Sequence, residues 1–289
     1  MKTKQFLTLG ILGVALAGTI FTGCKKDSNT STDADISAAQ DESNASFVLQ
    51  DSKSISDGAA QNQATERMEG GGPCATYRKI ADTIYNSQTD SAIEISFPGS
   101  CVSPDGRTRS GDIFVFWNGG RYFDSGSVIT MTFRNYSVKL LNGFTVGVTG
   151  TRVLTNVGKD SAGDQSWKFN ANLSLAYSNG GGTATWNSTR TNVLQKIGGV
   201  WYYEINGEAS GVTRKGVAYN INITNTLYHT AWWINAPANR CDCFEAGEVE
   251  ITRTGHTYPL YLTFTSGIGN CNHTATASIN GNNYNITLP

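Results

Sequence analysis

Trp167-Lys-Phe-Asn-Ala-Asn-Leu-Ser-Leu-Ala-Tyr177, then Ser178-Asn179-Gly180, then Thr183-Ala-Thr-Trp-Asn-Ser-Thr-Arg-Thr-Asn-Val-Leu194: two alternating runs separated by a glycine-rich break. Side chains on a strand point alternately to opposite faces, so a period of two marks a β-strand with one face buried and one wet. The same pattern extends outward in both directions. Upstream lie Val128 to Leu141 and Phe144 to Asn156; downstream lie Trp201 to Val212, Val217 to Tyr228, Phe244 to Thr252, Tyr258 to Phe264, Ala275 to Ile279 and Tyr284 to Leu288. Short turn-like links join them: Asn142-Gly143, Arg214-Lys215-Gly216, Thr254-Gly255 and Asn280-Gly281. Asn-Gly between alternating runs favours a hairpin, because both central residues of a type I′ turn need positive φ.

No stretch of this region has an apolar helical repeat of useful length, which argues against α/β folds built on crossover helices. The pattern predicts an all-β body, a long antiparallel meander folded as a two-layer sandwich or roll. Ile113, Val115 and Trp117 share one strand face with Phe114 and Phe116 on the other, so that strand is expected to be buried on both sides. Gly147, Gly150, Gly207, Gly211 and Gly247 fall inside strands, where glycine serves a bulge, a bend or a close approach.

The N-terminal part is of another kind. Lys2 and Lys4 precede an apolar run from Phe6 to Phe21, the pattern of a bacterial secretory signal over residues 1–23. From Lys25 to Gly72 the chain is rich in Asp, Ser, Asn, Gln, Thr and Ala, too poor in apolar surface to offset its ordering entropy. Residues 24–72 therefore read as a mostly disordered tether with one short helix over 36–57, Asp35 serving as N-cap. Such a tether would hold the domain of residues 73–289 clear of the headgroups, at a coil reach on the order of 40 Å. Without the signal the chain has 20 basic and 23 acidic residues, and the basic ones form no stripe, which excludes a nucleic-acid partner.

Beyond Cys24 five cysteines remain. Sequence proximity pairs Cys74 with Cys101, and one of Cys241 or Cys243 with Cys271, as expected in an oxidising compartment. A metal site built from Cys241, Cys243, Cys271 and His273 is the rival reading, but one intervening residue is a narrower spacing than structural zinc normally uses.

Phe21-Thr22-Gly23-Cys24 resembles the lipobox of bacterial lipoproteins, which implies a diacylglyceryl group on the Cys24 thiol, with Phe21 where an aliphatic residue is usual. The body, from Cys101-Val-Ser-Pro-Asp-Gly-Arg-Thr-Arg-Ser-Gly111 through Trp186-Asn-Ser-Thr-Arg-Thr191 and Gly247-Glu-Val-Glu-Ile251 to Gly269-Asn-Cys271, resembles an uncharacterised family of Bacteroidota lipoproteins. The resemblance implies an outer-membrane location, on the periplasmic face or the cell surface, and disulfide cysteines at Cys74, Cys101, Cys241 and Cys271, with Cys243 the extra one. It carries no activity.

Glu248 and Glu250 share a strand face, as glycosidase carboxylates could, but no catalytic elbow, P-loop or dinucleotide fingerprint is present and no cofactor is implied. Trp232 and Trp233 are the candidate ligand contacts, since neighbours on a strand face opposite ways. The expectation is a lipid-anchored, non-enzymatic envelope module, structural or binding, with a glycan or an envelope protein as partner. A carbohydrate-binding adhesin and a glycan hydrolase are the alternatives.

Overall fold

A computed structural model of the chain describes residues 35–62, 75–85, 88–103, 105–231, 234–235 and 241–289. Residues 1–34 lie outside it, and with them the signal, Cys24 and the first part of the tether. Cys74, Trp232 and Trp233 also lie outside the described residues, so the Cys74–Cys101 bridge and the tryptophan pair are not part of this description.

The body is all-β, as the alternation predicts. Thirteen antiparallel strands, β1 (Thr76–Tyr85) through β13 (Asn282–Thr287), form one continuous sheet in strict sequence order. The sheet is open, with β1 and β13 as its edges. Its central members are β3 (Thr108–Asn118), β4 (Val128–Lys139), β5 (Thr145–Lys159), β6 (Gln165–Tyr177), β7 (Thr183–Ile197), β8 (Val200–Val212), β9 (Ala218–Thr230) and β10 (Phe244–Arg253). β2 spans Gln88–Val102, β11 Leu260–Phe264 and β12 Thr274–Ile279. Along β6, Trp167, Phe169, Leu173 and Leu175 are buried while Lys168, Asn170 and Asn172 are exposed, so one face is dry and the other wet. On β3 the second face is less dry than the sequence suggests. Phe114 and Phe116 are half-buried, stacked at 6.4 Å, with the Arg134 guanidinium 4.6 Å from the Phe114 ring.

Turn chemistry follows the glycines. At Asn280-Gly281 both residues have positive φ, 46° and 78°, and Ile279 pairs with Asn282, which is the two-residue hairpin that Asn-Gly favours. Gly207, at φ 130°, sits where the β8–β9 register shifts between Ile205 and Glu208; a Cβ there would lie 2.3 Å from the Thr189 carbonyl oxygen. Only glycine lets β8 bulge so close to β7.

The main difference from the sequence reading concerns the tether. Ser37–Asn62 is a 26-residue helix, α1, buried for almost its whole length on the dry face of the sheet. The expected N-cap is present, Asp35 Oδ1 accepting the Ser37 N–H at 2.8 Å. Side chains from β3, β4, β5, β6, β7, β8 and β10 all reach α1 or the residue before it. Thus no second sheet covers the dry face among the described residues: the meander takes the rolled form, with a helix at its centre. The segment expected to stand outside the body is its core.

Candidate functional site: a polar helix in an arginine-lined groove

α1 has few large apolar residues, chiefly Phe47, Val48, Leu49 and Ile55. Its buried polar set includes Asp41, Glu42, Asn44, Ser46, Gln50, Asp51, Lys53 and Asp57. A helix polar on all sides is ordinarily solvated or unstable, and each of these groups would be costly to bury alone. The sheet answers with cations and hydroxyls placed at inward positions of its strands.

The partners follow the helix from one end to the other. At its start, Arg214 binds the Asp41 carboxylate through its backbone N–H (2.9 Å) and its guanidinium, and Arg253 donates to the Asp35 carbonyl at 2.7 Å. Asn44 donates to the Tyr177 hydroxyl at 3.0 Å and accepts from Asn142 at 2.8 Å. Next to Asp41, Glu42 takes the Trp186 indole N–H at 2.7 Å and the Arg190 guanidinium, which also reaches Ser46, one turn on, at 2.7 Å. Midway, Arg109 grips Asp51 with two bonds of 2.8 and 3.1 Å, and Arg107 lies 4.2 Å over the Phe47 ring. Near the far end, Asp57 accepts from Tyr122 at 2.9 Å and Tyr203 at 3.0 Å and pairs with Lys53, whose ammonium sits 4.3 Å from the Trp167 ring. Burial pushes the Lys53 ammonium below its ordinary value, against the pull of Asp57. Among the described residues Arg152 has no carboxylate in contact: it donates to the Leu49 carbonyl at 3.0 Å, and burial lowers its pKa to about 10.

A signal for this groove was present in the sequence. Arg152 is in phase with Val148 and Leu154, and Arg190 with Trp186 and Leu194, so both cations point toward the core. Inward cations call for inward acceptors, and the acid-rich segment over residues 25–72, distant in the chain, was the one read as a stalk.

The aromatic residues are largely consumed by this interior. Trp117, Trp167 and Trp186 are buried. The wet face is instead an array of amides and hydroxyls, with a shallow cleft of about 370 Å³ lined by Asn170, Asn187, Thr189, Glu208 and Asn220. Glu248, one of the two candidate carboxylates, is held by the hydroxyls of Thr224 at 3.0 Å and Thr263 at 3.2 Å; Glu250 pairs in register with Asn222 and Tyr261.

At the C-terminal strands, Cys241 and Cys271 form the expected disulfide, Cα–Cα 5.5 Å, and Cys243 is the free, buried thiol. Its Sγ lies 3.2 Å from that of Cys241 and 3.7 Å from that of Cys271, and burial pushes it up to about 12, so it is an inert packing group. His273 faces Asp242 at 3.2 Å and Cys271 at 3.7 Å. These groups could hold a soft metal only if the disulfide were reduced. His229, close by, is a core residue: its Nδ1 meets the Thr230 carbonyl at 2.9 Å and its ring stands edge-on to Phe244 at 5.3 Å.

With the geometry in hand, comparison with known proteins adds no kinship. No family model, no curated protein and no solved structure matches the chain.

Two outcomes are expected. Glu42→Ala strands the Arg190 guanidinium and the Trp186 N–H, and should cost about 3–5 kcal/mol in urea unfolding; adding Arg190→Leu should recover most of it, as removing both halves of a buried pair does. Burial depresses His229 from 6.5 to about 4, so its contribution is complete above pH 6.5 and lost as pH falls toward 4. That window should remove about 3 kcal/mol of stability at 1.36 kcal/mol per pK unit, and His229→Phe should flatten it in pH-dependent unfolding curves.

Proposed function

We propose that this chain is a lipid-anchored, extracytoplasmic β-domain of the cell envelope, attached through Cys24 and acting as a structural or binding module without catalysis. The observation that carries the reading is the burial of α1. The chain leaves Cys24 and within ten residues, 25–34, becomes the central element of the fold. A force on the anchor is thus transmitted to the core through ion pairs on several strands, as suits a module that must stay both folded and attached. Buried groups shifted from their ordinary values on α1 and in the core, among them Asp41, Lys53 and His229, are engaged in ion pairs and packing.

The lipobox-like Phe21-Thr22-Gly23-Cys24 and the resemblance to Bacteroidota lipoproteins support an outer-membrane address. The partner on the wet face is an envelope protein or a glycan, met by amide and hydroxyl groups.

Cell fractionation tests the reading. The native chain should sediment with membranes and be released by detergent, and Cys24→Ala should appear as a soluble, folded body. A Cys24→Ala chain that stays membrane-bound after signal removal would contradict it.

A further inference from the structure

The direction of α1 gives the body two distinct ends. One rim carries the β2–β3, β4–β5, β8–β9 and β10–β11 turns, and the start of α1 is tied to it: Asp35 to Lys215 at 3.0 Å, Asp41 to Arg214, and Asn44 to Asn142. The opposite rim carries the β3–β4 and β5–β6 turns, and the later part of α1 lies near it, Asp57 meeting Tyr122. The described chain therefore begins, at Asp35, beside the first rim.

Length favours the first rim. Fully extended, the ten residues 25–34 span at most about 35 Å. The helix alone, 26 residues long, covers about 39 Å. Asp57, which meets Tyr122 on the opposite rim, lies about 33 Å from Asp35 by helical rise, so a membrane holding Cys24 reaches the first rim without stretching the segment and the opposite rim only at nearly full extension.

The first rim also has the chemistry of a surface that meets lipid. Val102, Leu141, Val212 and Tyr258 are between 39% and 59% exposed there. Leu141, Val212 and Tyr258 sit on or beside separate turns that meet the helix start: Leu141 precedes Asn142, Val212 lies two residues before Arg214, and the Arg253 guanidinium, which also bonds the Asp35 carbonyl, bonds the Tyr258 carbonyl at 3.3 Å. The β2–β3 turn that follows Val102 abuts Leu141, since a Cβ on its Gly106 would lie 3.7 Å from the Leu141 side chain. Exposed Lys139 and Lys215 flank these apolar tips. Apolar and tyrosyl side chains edged by lysines suit the interface of a bilayer with anionic headgroups.

We infer that this rim is a membrane-docking face: the lipid on Cys24 holds the body against the bilayer, and Val102, Leu141, Val212 and Tyr258 insert at headgroup depth. The anchor fixes the rim's concentration at the surface, so four modest contacts suffice where a free protein would need more. The body then lies on the membrane with its helix axis upright, and the distal rim and the wet face of β6–β9 turn away from the lipid.

This inference rests on lipidation at Cys24, and one experiment separates the two. The full lipidated chain is reconstituted into phosphatidylethanolamine–phosphatidylglycerol vesicles, floated on a density gradient and footprinted with hydroxyl radicals. The Cys24→Ala chain in buffer is the reference. Oxidation of Leu141, Val212 and Tyr258 should fall severalfold on vesicles, while Phe123, Val157 and Ile268, the exposed apolar residues of the opposite rim, react as in the reference. If the chain floats but both rims react equally, the docking face is refuted and the anchor stands. If the chain does not float, the anchor itself is refuted. If the reference chain already protects the first rim, that rim binds another copy and not lipid.

Discussion

The structure depends on one kind of contact, the ion pair or charged hydrogen bond between a carboxylate of α1 and a cation or hydroxyl on the inner face of the sheet. A thirteen-strand meander has too much dry face to leave uncovered, and open sheets of that size must curl or split. Here the sheet curls about a helix instead of folding onto a second sheet. Because the helix is polar, the interior works only if nearly every charge has a partner: Asp41 with Arg214, Glu42 with Arg190, Asp51 with Arg109, Asp57 with Lys53. Such pairs add little net stability over apolar packing, but they penalise misplacement heavily. They fix which face of α1 meets which strand, a choice that Ala and Ser side chains could not make.

The same arrangement changes what the N-terminal region does. A solvated stalk would let the body drift tens of ångströms from its attachment point. A buried helix leaves only twelve residues, 25–36, between Cys24 and the start of α1 and gives the body a definite end at which the chain enters. On the proposed lipidation of Cys24, the orientation of the module at a membrane would be a consequence of its folding, set by the end of the roll at which α1 begins.

The sheet was legible in the sequence because its signal is local. Trp167 to Tyr177 alternates over a full strand, and Asn280-Gly281 carries the backbone preference of its turn. The internal glycines were also readable as close approaches, as Gly207 shows. The helix was legible only as a helix: Asp35 marked its start, but nothing in Ser-Ala-Ala-Gln-Asp-Glu-Ser-Asn suggests burial. Its burial is a non-local fact, readable only by matching acids at Asp41, Glu42 and Asp51 to arginines more than fifty residues away, of which Arg109 and Arg190 break the apolar phase of their strands. The sulfur cluster was half legible, since proximity along the chain brought Cys271 together with Cys241 or Cys243 without deciding between them.

Hydrogen–deuterium exchange followed by mass spectrometry on the full chain addresses the central claim, that α1 is the core of the β-roll. Peptides from Ser37–Asn62 should exchange as slowly as those from β6 to β8, with protection that is lost only when the whole sheet unfolds. Complete exchange of that segment within seconds at neutral pH, while the strands stay protected, would mean that the helix is a solvated tether after all.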